Sequence, residues 1–214
     1  MRFSLFKGGI SLYSKIEPIF LLNHLFMNIQ EVISRLEAGN KNFVNDKLDG
    51  KLQNSSRRTD LTSGQEPYAI ILSCADSRVV PELAFDAGLG ELFVIRVAGN
   101  VANNSSIASI EYAVAHLGTT VIVVLGHESC GAVTAAMGGG DNGHNLNHLL
   151  SHITPALAAS AEGAAVNDVV KKNAELTGQE LKNRSSIIRD AVDSGKVKII
   201  PAYYNLGSGA VDWL

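Results

Sequence analysis

The sequence predicts an α/β fold: a mostly parallel central β-sheet flanked by helices, with a helical arm at its amino end. Three observations carry this. Four short apolar, β-branched runs are separated by stretches of helical periodicity. The runs lack strict alternation, as strands covered on both faces of a parallel sheet do. Two of them end in segments dense in cysteine, histidine and carboxylate, where open α/β sheets place their ligands.

The elements follow in order. From Asn28 a helix is expected, because Ile29, Val32, Ile33, Leu36 and Phe43 share one face. Residues 47–65 are polar and read as a loop or frayed helix. Tyr68–Ser73, Leu92–Val97, Thr120–Gly126 and Val197–Tyr203 read as the four strands. Between them a short helix is expected over Val80–Ala87, and another over 105–117 with Ile107, Ile110, Val114 and Leu117 at helical spacing. Residues 146–160 and 164–193 also read as helical, the second with a break near Gly178. The Gly138–Gly143 run is a loop between helices. It lacks the strand-to-helix setting and glycine spacing of a nucleotide-binding turn. Crossovers between the strands should be right-handed.

The length of 214 residues suits one domain with an arm, so 27–214 is read as a single catalytic domain. Hydrophobic residues are 46% and charged ones 18%, which excludes a disordered chain. The net charge is −3 and no basic block occurs, so nucleic acid is not an expected partner. Two cysteines are too few for a secreted disulfide framework. Reduced thiols point to a reducing compartment and a cytoplasmic location, with the unassigned first 26 residues leaving a periplasmic one open. Those residues carry Arg2, Lys7 and Lys15 against Glu17, and their longest apolar run is Ile19–Leu22. That run is too short for a membrane span or a secretory signal. The segment is read as a flexible extension, with Met27 as the working start.

Chemistry concentrates around the two cysteines. Cys74 lies in Ser-Cys-Ala-Asp-Ser-Arg at 73–78, and Cys130 in Gly-His-Glu-Ser-Cys-Gly at 126–131. Cys74, His127 and Cys130 form a candidate set of three zinc ligands. Three protein ligands with one open position is the catalytic pattern, and no third cysteine exists to close the site. Asp76 can orient a water at the open position or occupy that position itself. Arg78 can pair with it bidentately and hold it back. Alternatively, Asp76 or Ser77 caps the helix expected at Val80–Ala87.

The two motifs, in this order, resemble the β-class carbonic anhydrase family. The likeness runs from about Asn28 to Leu214. It includes Gly90–Arg96, Ala98-Gly99-Asn100, Ser109–Val114 and Ala202–Leu206. The resemblance implies one Zn2+ per subunit on Cys74, His127 and Cys130, an Asp76–Arg78 dyad, and reversible hydration of CO2. It also implies a homodimer or higher even homo-oligomer acting on a small molecule, with no membrane partner. In the three-histidine carbonic anhydrases, which supply the general figure, zinc lowers the pKa of its water to about 7. By the same resemblance Gln65 would bind a substrate oxygen, and Phe93 and Tyr112 would form an apolar wall, one the partner subunit can supply. The Gly131 N–H would face the substrate. Val97 and Ala98 depart from residues common in the family. Ile71 replaces the tryptophan of relatives with a regulatory bicarbonate site, which argues against that site here. Two alternatives stay open: hydrolysis of a CO2-like molecule such as carbonyl sulfide or carbon disulfide, and a non-catalytic zinc protein closed by Asp76. A redox dithiol lacks the Cys-x-x-Cys spacing.

Other residues take plainer readings. His144, His148 and His152 share a helical face without an accompanying thiol or carboxylate, and His24 and His116 read as ordinary polar residues. Arg96 reads as structural or anion-facing, Glu128 as a solvent-facing neighbour of His127, and Tyr203 and Tyr204 as packing or interface residues. Asp168, Glu175 and Glu180 read as a solvated helix face.

Overall fold

A computed structural model describes residues 27–214, so the readings of the first 26 residues, His24 included, lie outside the described residues. Helix α1 (Ile29–Val44) starts where its sequence signal lies. The Asn28 side chain accepts from the Glu31 N–H, and the Glu31 carboxylate accepts from the Asn28 N–H. This capping box satisfies donors that a helix start leaves free. The polar stretch that follows forms α2 (Ser55–Asp60) between two short 3₁₀ turns.

Strands β1 (Ala69–Ser73), β2 (Leu92–Arg96), β3 (Val121–His127) and β4 (Lys198–Tyr204) pair in parallel in the order β2-β1-β3-β4. A fifth strand, β5 (Val211–Trp213), adds antiparallel to β4 with Ala202 opposite Trp213. The mostly parallel α/β sheet is therefore as expected, with β5 as an addition. Three residues are too few for a periodic signal.

Helices cover both faces. Side chains alternate across the sheet. Ala69, Ile71, Val121, Val123 and Leu125 pack with Val32 and Leu36 of α1 and Ala84 of α3 (Pro81–Ala84). Ile70, Leu72, Ile122 and Val124 pack on the other face. Their partners are Ile107 and Ile110 of α4 (Asn104–His116), Ala174 and Leu181 of α8 (Val166–Arg184), and Ile188 of α9 (Ser186–Asp193). Side chains such as Ile70 and Ile122 are fully buried, each contributing roughly 1.5–3 kcal/mol. Beyond the carboxyl ends of the strands, α5 (Gly131–Gly138), α6 (His144–Ser151) and α7 (Thr154–Ala159) enclose a third cluster. It contains Cys74, Cys130, Val133, Leu150 and Ile153.

Four local expectations are corrected. The helix expected over 146–160 is two, α6 and α7, because Pro155 sits in the first turn of α7 and cannot continue a helix. The expected break at Gly178 does not occur, and α8 runs through it. A Cβ on Gly178 would lie 3.2 Å from Ile199 Cγ2, so this glycine permits a close helix–strand approach. The break falls at Ser185, whose extended backbone ends α8 and whose hydroxyl accepts from the Ile188 N–H of α9. Helix α3 begins at Pro81, not Val80, and carries no side-chain cap, so neither Asp76 nor Ser77 caps it. Helix α5, absent from the sequence reading, is bounded by glycines and built of small residues that show no amphipathic stripe.

Candidate metal centre

Topology brings the cysteine segments together. β1 and β3 are parallel neighbours, with Ser73 opposite Leu125. Cys74 follows β1 directly, His127 ends β3, and Cys130 is the residue before α5. Between His127 and Cys130 the chain turns sharply through Ser129, which has a left-handed φ of 53°. Such a backbone costs a non-glycine residue about 1–2 kcal/mol. The Ser129 N–H donates to Asn167 Oδ1 at 2.9 Å, which holds the turn.

The sulfur atoms of Cys74 and Cys130 and a ring nitrogen of His127 lie within 4.8 Å of one another, all buried. This is the cluster of metal-ligating type found among the described residues. The sulfurs are 4.0 Å apart, whereas a disulfide needs about 2.05 Å. Two sulfurs held at about 2.3 Å by a tetrahedral ion would stand roughly 3.8 Å apart. His127 Nδ1 lies 2.9 Å from the Glu128 carbonyl oxygen. A carbonyl only accepts, so Nδ1 carries the proton and Nε2 keeps a lone pair. Nε2 is fully buried and lacks a hydrogen-bond partner. A buried acceptor left in this state is costly, and a cation between it and the two sulfurs would satisfy it. The donor set therefore fits zinc.

Charge follows the same geometry. A hydrogen bond from Cys130 pulls the Cys74 thiol well down, against burial, with help from His127 and the Gly99 N–H. The same contact and burial push Cys130 up, because two adjacent thiolates repel. Burial opposes charge on His127, but Cys74, the Glu128 carbonyl and Asp76 together hold it above its usual value.

Asp76 sits beside the cluster, its Oδ2 3.8 Å from His127 Nε2. Arg78 holds it twice: Nε donates to Oδ1 at 3.0 Å and a terminal nitrogen to Oδ2 at 2.8 Å. The Arg78 backbone N–H also donates to Oδ1. These bonds from Arg78 hold the Asp76 carboxyl far below the usual carboxylate range. Arg96, read as structural or anion-facing, donates to the carbonyls of Cys74 and Asp76. It pins the backbone that carries both.

The remaining expected residues divide. Gly131 opens α5 next to Cys130, with nothing within 4 Å of where a Cβ would stand. Gln65, Phe93 and Tyr112 are not brought to the thiols by their own chain. Gln65 lines a cavity of about 650 Å³ with Arg35, Tyr68 and Glu91, at the amino ends of the strands. The five residues of β1 alone separate that end from Cys74 by roughly 17 Å. Phe93 pairs with Ile70 and contacts the Tyr112 ring at 6.3 Å. It lies three residues back from Arg96, or about 10 Å of strand. Tyr112 is 49% exposed.

Glu128 is not a free solvent-facing group, since its carboxylate accepts from the Leu206 and Gly207 N–H groups after β4. Tyr203 and Tyr204 are buried packing residues, Tyr203 under Lys171 and Tyr204 beside Phe43. The His148 and His152 rings contact each other edge to face. Sequence reading missed Asn167 and, on the same helix, Asn173. Their one signal was a poor helix former inside a predicted helix.

The chain matches the family model described as carbonic anhydrase over residues 69–211. It is 37% identical over 183 residues to the carbonic anhydrase of Mycolicibacterium smegmatis, covering 83% of this chain and 89% of that protein. It is likewise 37% identical over 180 residues to carbonic anhydrase 2 of Mycobacterium tuberculosis, covering 81% and 87%. Among solved structures, the Coccomyxa β-carbonic anhydrase in complex with acetazolamide aligns with a TM-score of 0.68 at 27% identity, covering 85% of this chain and 86% of that one. A tetrameric β-carbonic anhydrase from Sordaria macrospora aligns with a TM-score of 0.67 at 25% identity, covering 83% and 93%.

Proposed function

The chain belongs to the β-carbonic anhydrase family, whose general reaction is CO2 hydration, and on that premise we propose how its own residues perform it. Cys74, Cys130 and His127 hold one zinc ion per subunit, and Asp76 with Arg78 directs the attack on CO2. The observation that carries this is the orphaned, buried His127 Nε2 facing two sulfurs, with a restrained carboxylate next to it. Zinc, when bound, supplies Lewis acidity that makes a water a nucleophile near neutral pH.

The protein groups do the rest. Two thiolates offset the ion's charge, which leaves an electrically neutral centre suited to an uncharged substrate. The clamped, ionised Asp76 accepts a hydrogen bond from the attacking oxygen and so turns that oxygen's lone pair toward the carbon. Arg78 occupies both carboxylate oxygens, which favours the open site over one closed by Asp76. Water and CO2 give bicarbonate and one proton, which leaves to buffer.

Gln65, Phe93 and Tyr112 lie away from their own chain's thiols, which supports a homodimer or higher even homo-oligomer in which the partner supplies them. The tetrameric Sordaria enzymes agree with that assembly.

Stopped-flow CO2 hydration with zinc measured on the same sample tests the reading. Stoichiometric zinc and rapid hydration between pH 7 and 9 are expected. Stoichiometric zinc without hydration would sink it.

A further inference from the structure

Both loops that carry the candidate ligands are tied to one helix. Asn167, in the first turn of α8, accepts through Oδ1 from the Ser129 N–H at 2.9 Å. Ser129 is the strained residue between His127 and Cys130. Asn173, two turns further along and 2% exposed, donates through Nδ2 to the Gly99 carbonyl at 2.8 Å. Gly99 in turn donates its N–H to Cys74 Sγ at 3.3 Å. Its left-handed φ of 69°, with Ile153 Cδ1 2.8 Å from where a Cβ would stand, favours glycine there. The two contacts flank one Cα: the N–H is aimed at the sulfur and the carbonyl is held by the asparagine.

The helix is well seated for this task. Gly126, just before His127, would place a Cβ 2.9 Å from Val170 Cγ1, so α8 lies directly against the end of β3. The two asparagines bond to backbone groups, the Ser129 N–H and the Gly99 carbonyl, not to the ligand atoms. Hydrogen bonds one shell outside a metal orient its ligands and tune their donor strength, and a peptide N–H on a thiolate lowers that sulfur's charge density.

We infer that Asn167 and Asn173 are positioning residues that set the metal affinity and ligand field of the Cys74, His127 and Cys130 centre, with α8 as their common frame. The inference rests on the proposed zinc site. A merely structural role would lower stability and leave the metal's surroundings alone, so the readouts are chelator competition for zinc and the thiolate-to-metal absorption of the cobalt-substituted protein. Asn173→Leu keeps the branching at Cγ and removes the donor. A zinc affinity about tenfold weaker, with a displaced cobalt band, is expected. Leu181→Ala, a core change on the same helix, should lower stability with wild-type zinc affinity and cobalt spectrum.

Wild-type metal affinity and spectrum in folded Asn173→Leu would overturn the inference alone. A wild-type chain that takes up neither metal would overturn the proposed function together with it. If Asn173→Leu does not fold, Asn167→Ala decides on the same two readouts: weakened zinc and a shifted band support the inference, and unchanged values overturn it.

Discussion

A carboxylate a few ångströms from a cation site will bind the cation unless something else holds it. Here Arg78 holds both oxygens of Asp76, and its bonds keep the group ionised. Asp76→Asn should therefore retain zinc while CO2 hydration falls about a hundredfold, the lower range for a positioned proton acceptor. Zinc content and kcat measured together check this. Cys74→Ser should lose the metal itself, as read by metal analysis after dialysis. A second titration is independent of the centre. Burial pushes the Tyr68 phenol up to about 12 from 10.0, with Arg35 over its ring opposing and Glu91 assisting. The neutral form is thus favoured in the folded chain. Its contribution, roughly 2–3 kcal/mol, is present below pH 10 and is lost as pH rises toward 12. Urea unfolding across that window should show the loss, and Tyr68→Phe should flatten it. At this scale the meeting of Cys74, His127 and Cys130 and the pairing of Asp76 with Arg78 were legible, because two dense motifs carry them. Arg96 was legible as structural, whereas Asn167 and Asn173 were not, because each acts by a hydrogen bond to a backbone far away in sequence.

At the scale of elements, the four parallel strands announce themselves by β-branched runs, and α1 by its stripe and capping residue. What the sequence conceals is decided by close approach. Gly178 reads as a helix breaker, but it lies where α8 crosses Ile199. Gly39 is a second case. A Cβ there would fall 1.9 Å from the Phe85 carbonyl oxygen, which is backbone and cannot swing aside. Gly39→Ala should raise helix propensity yet destabilise the protein by about 1–3 kcal/mol, because α1 must lift from the end of α3. A lower urea midpoint is the expected result. The split between α6 and α7 was readable from Pro155 alone. β5 was not, since three residues gain strand geometry only by pairing with β4.

At the scale of the whole molecule, the expected site residues fall in two places on one chain. Thiols, imidazole and dyad converge at the carboxyl ends of β1 and β3, whereas Gln65, Phe93 and Tyr112 lie toward the other end or on the surface. An even homo-oligomer should appear in light scattering. Gln65→Leu should raise KM several-fold with zinc content unchanged, and mixing it with Asp76→Asn subunits should restore partial activity in hybrids. The family resemblance anticipates that a partner can supply Phe93 and Tyr112, although residue spacing along a chain does not by itself say which copy supplies a side chain. Anomalous diffraction at the zinc edge tests the open site most directly. One peak bonded to Cys74 Sγ, Cys130 Sγ and His127 Nε2 is expected, with Asp76 still on Arg78. A peak with Asp76 as fourth ligand, or none among these residues, would contradict it.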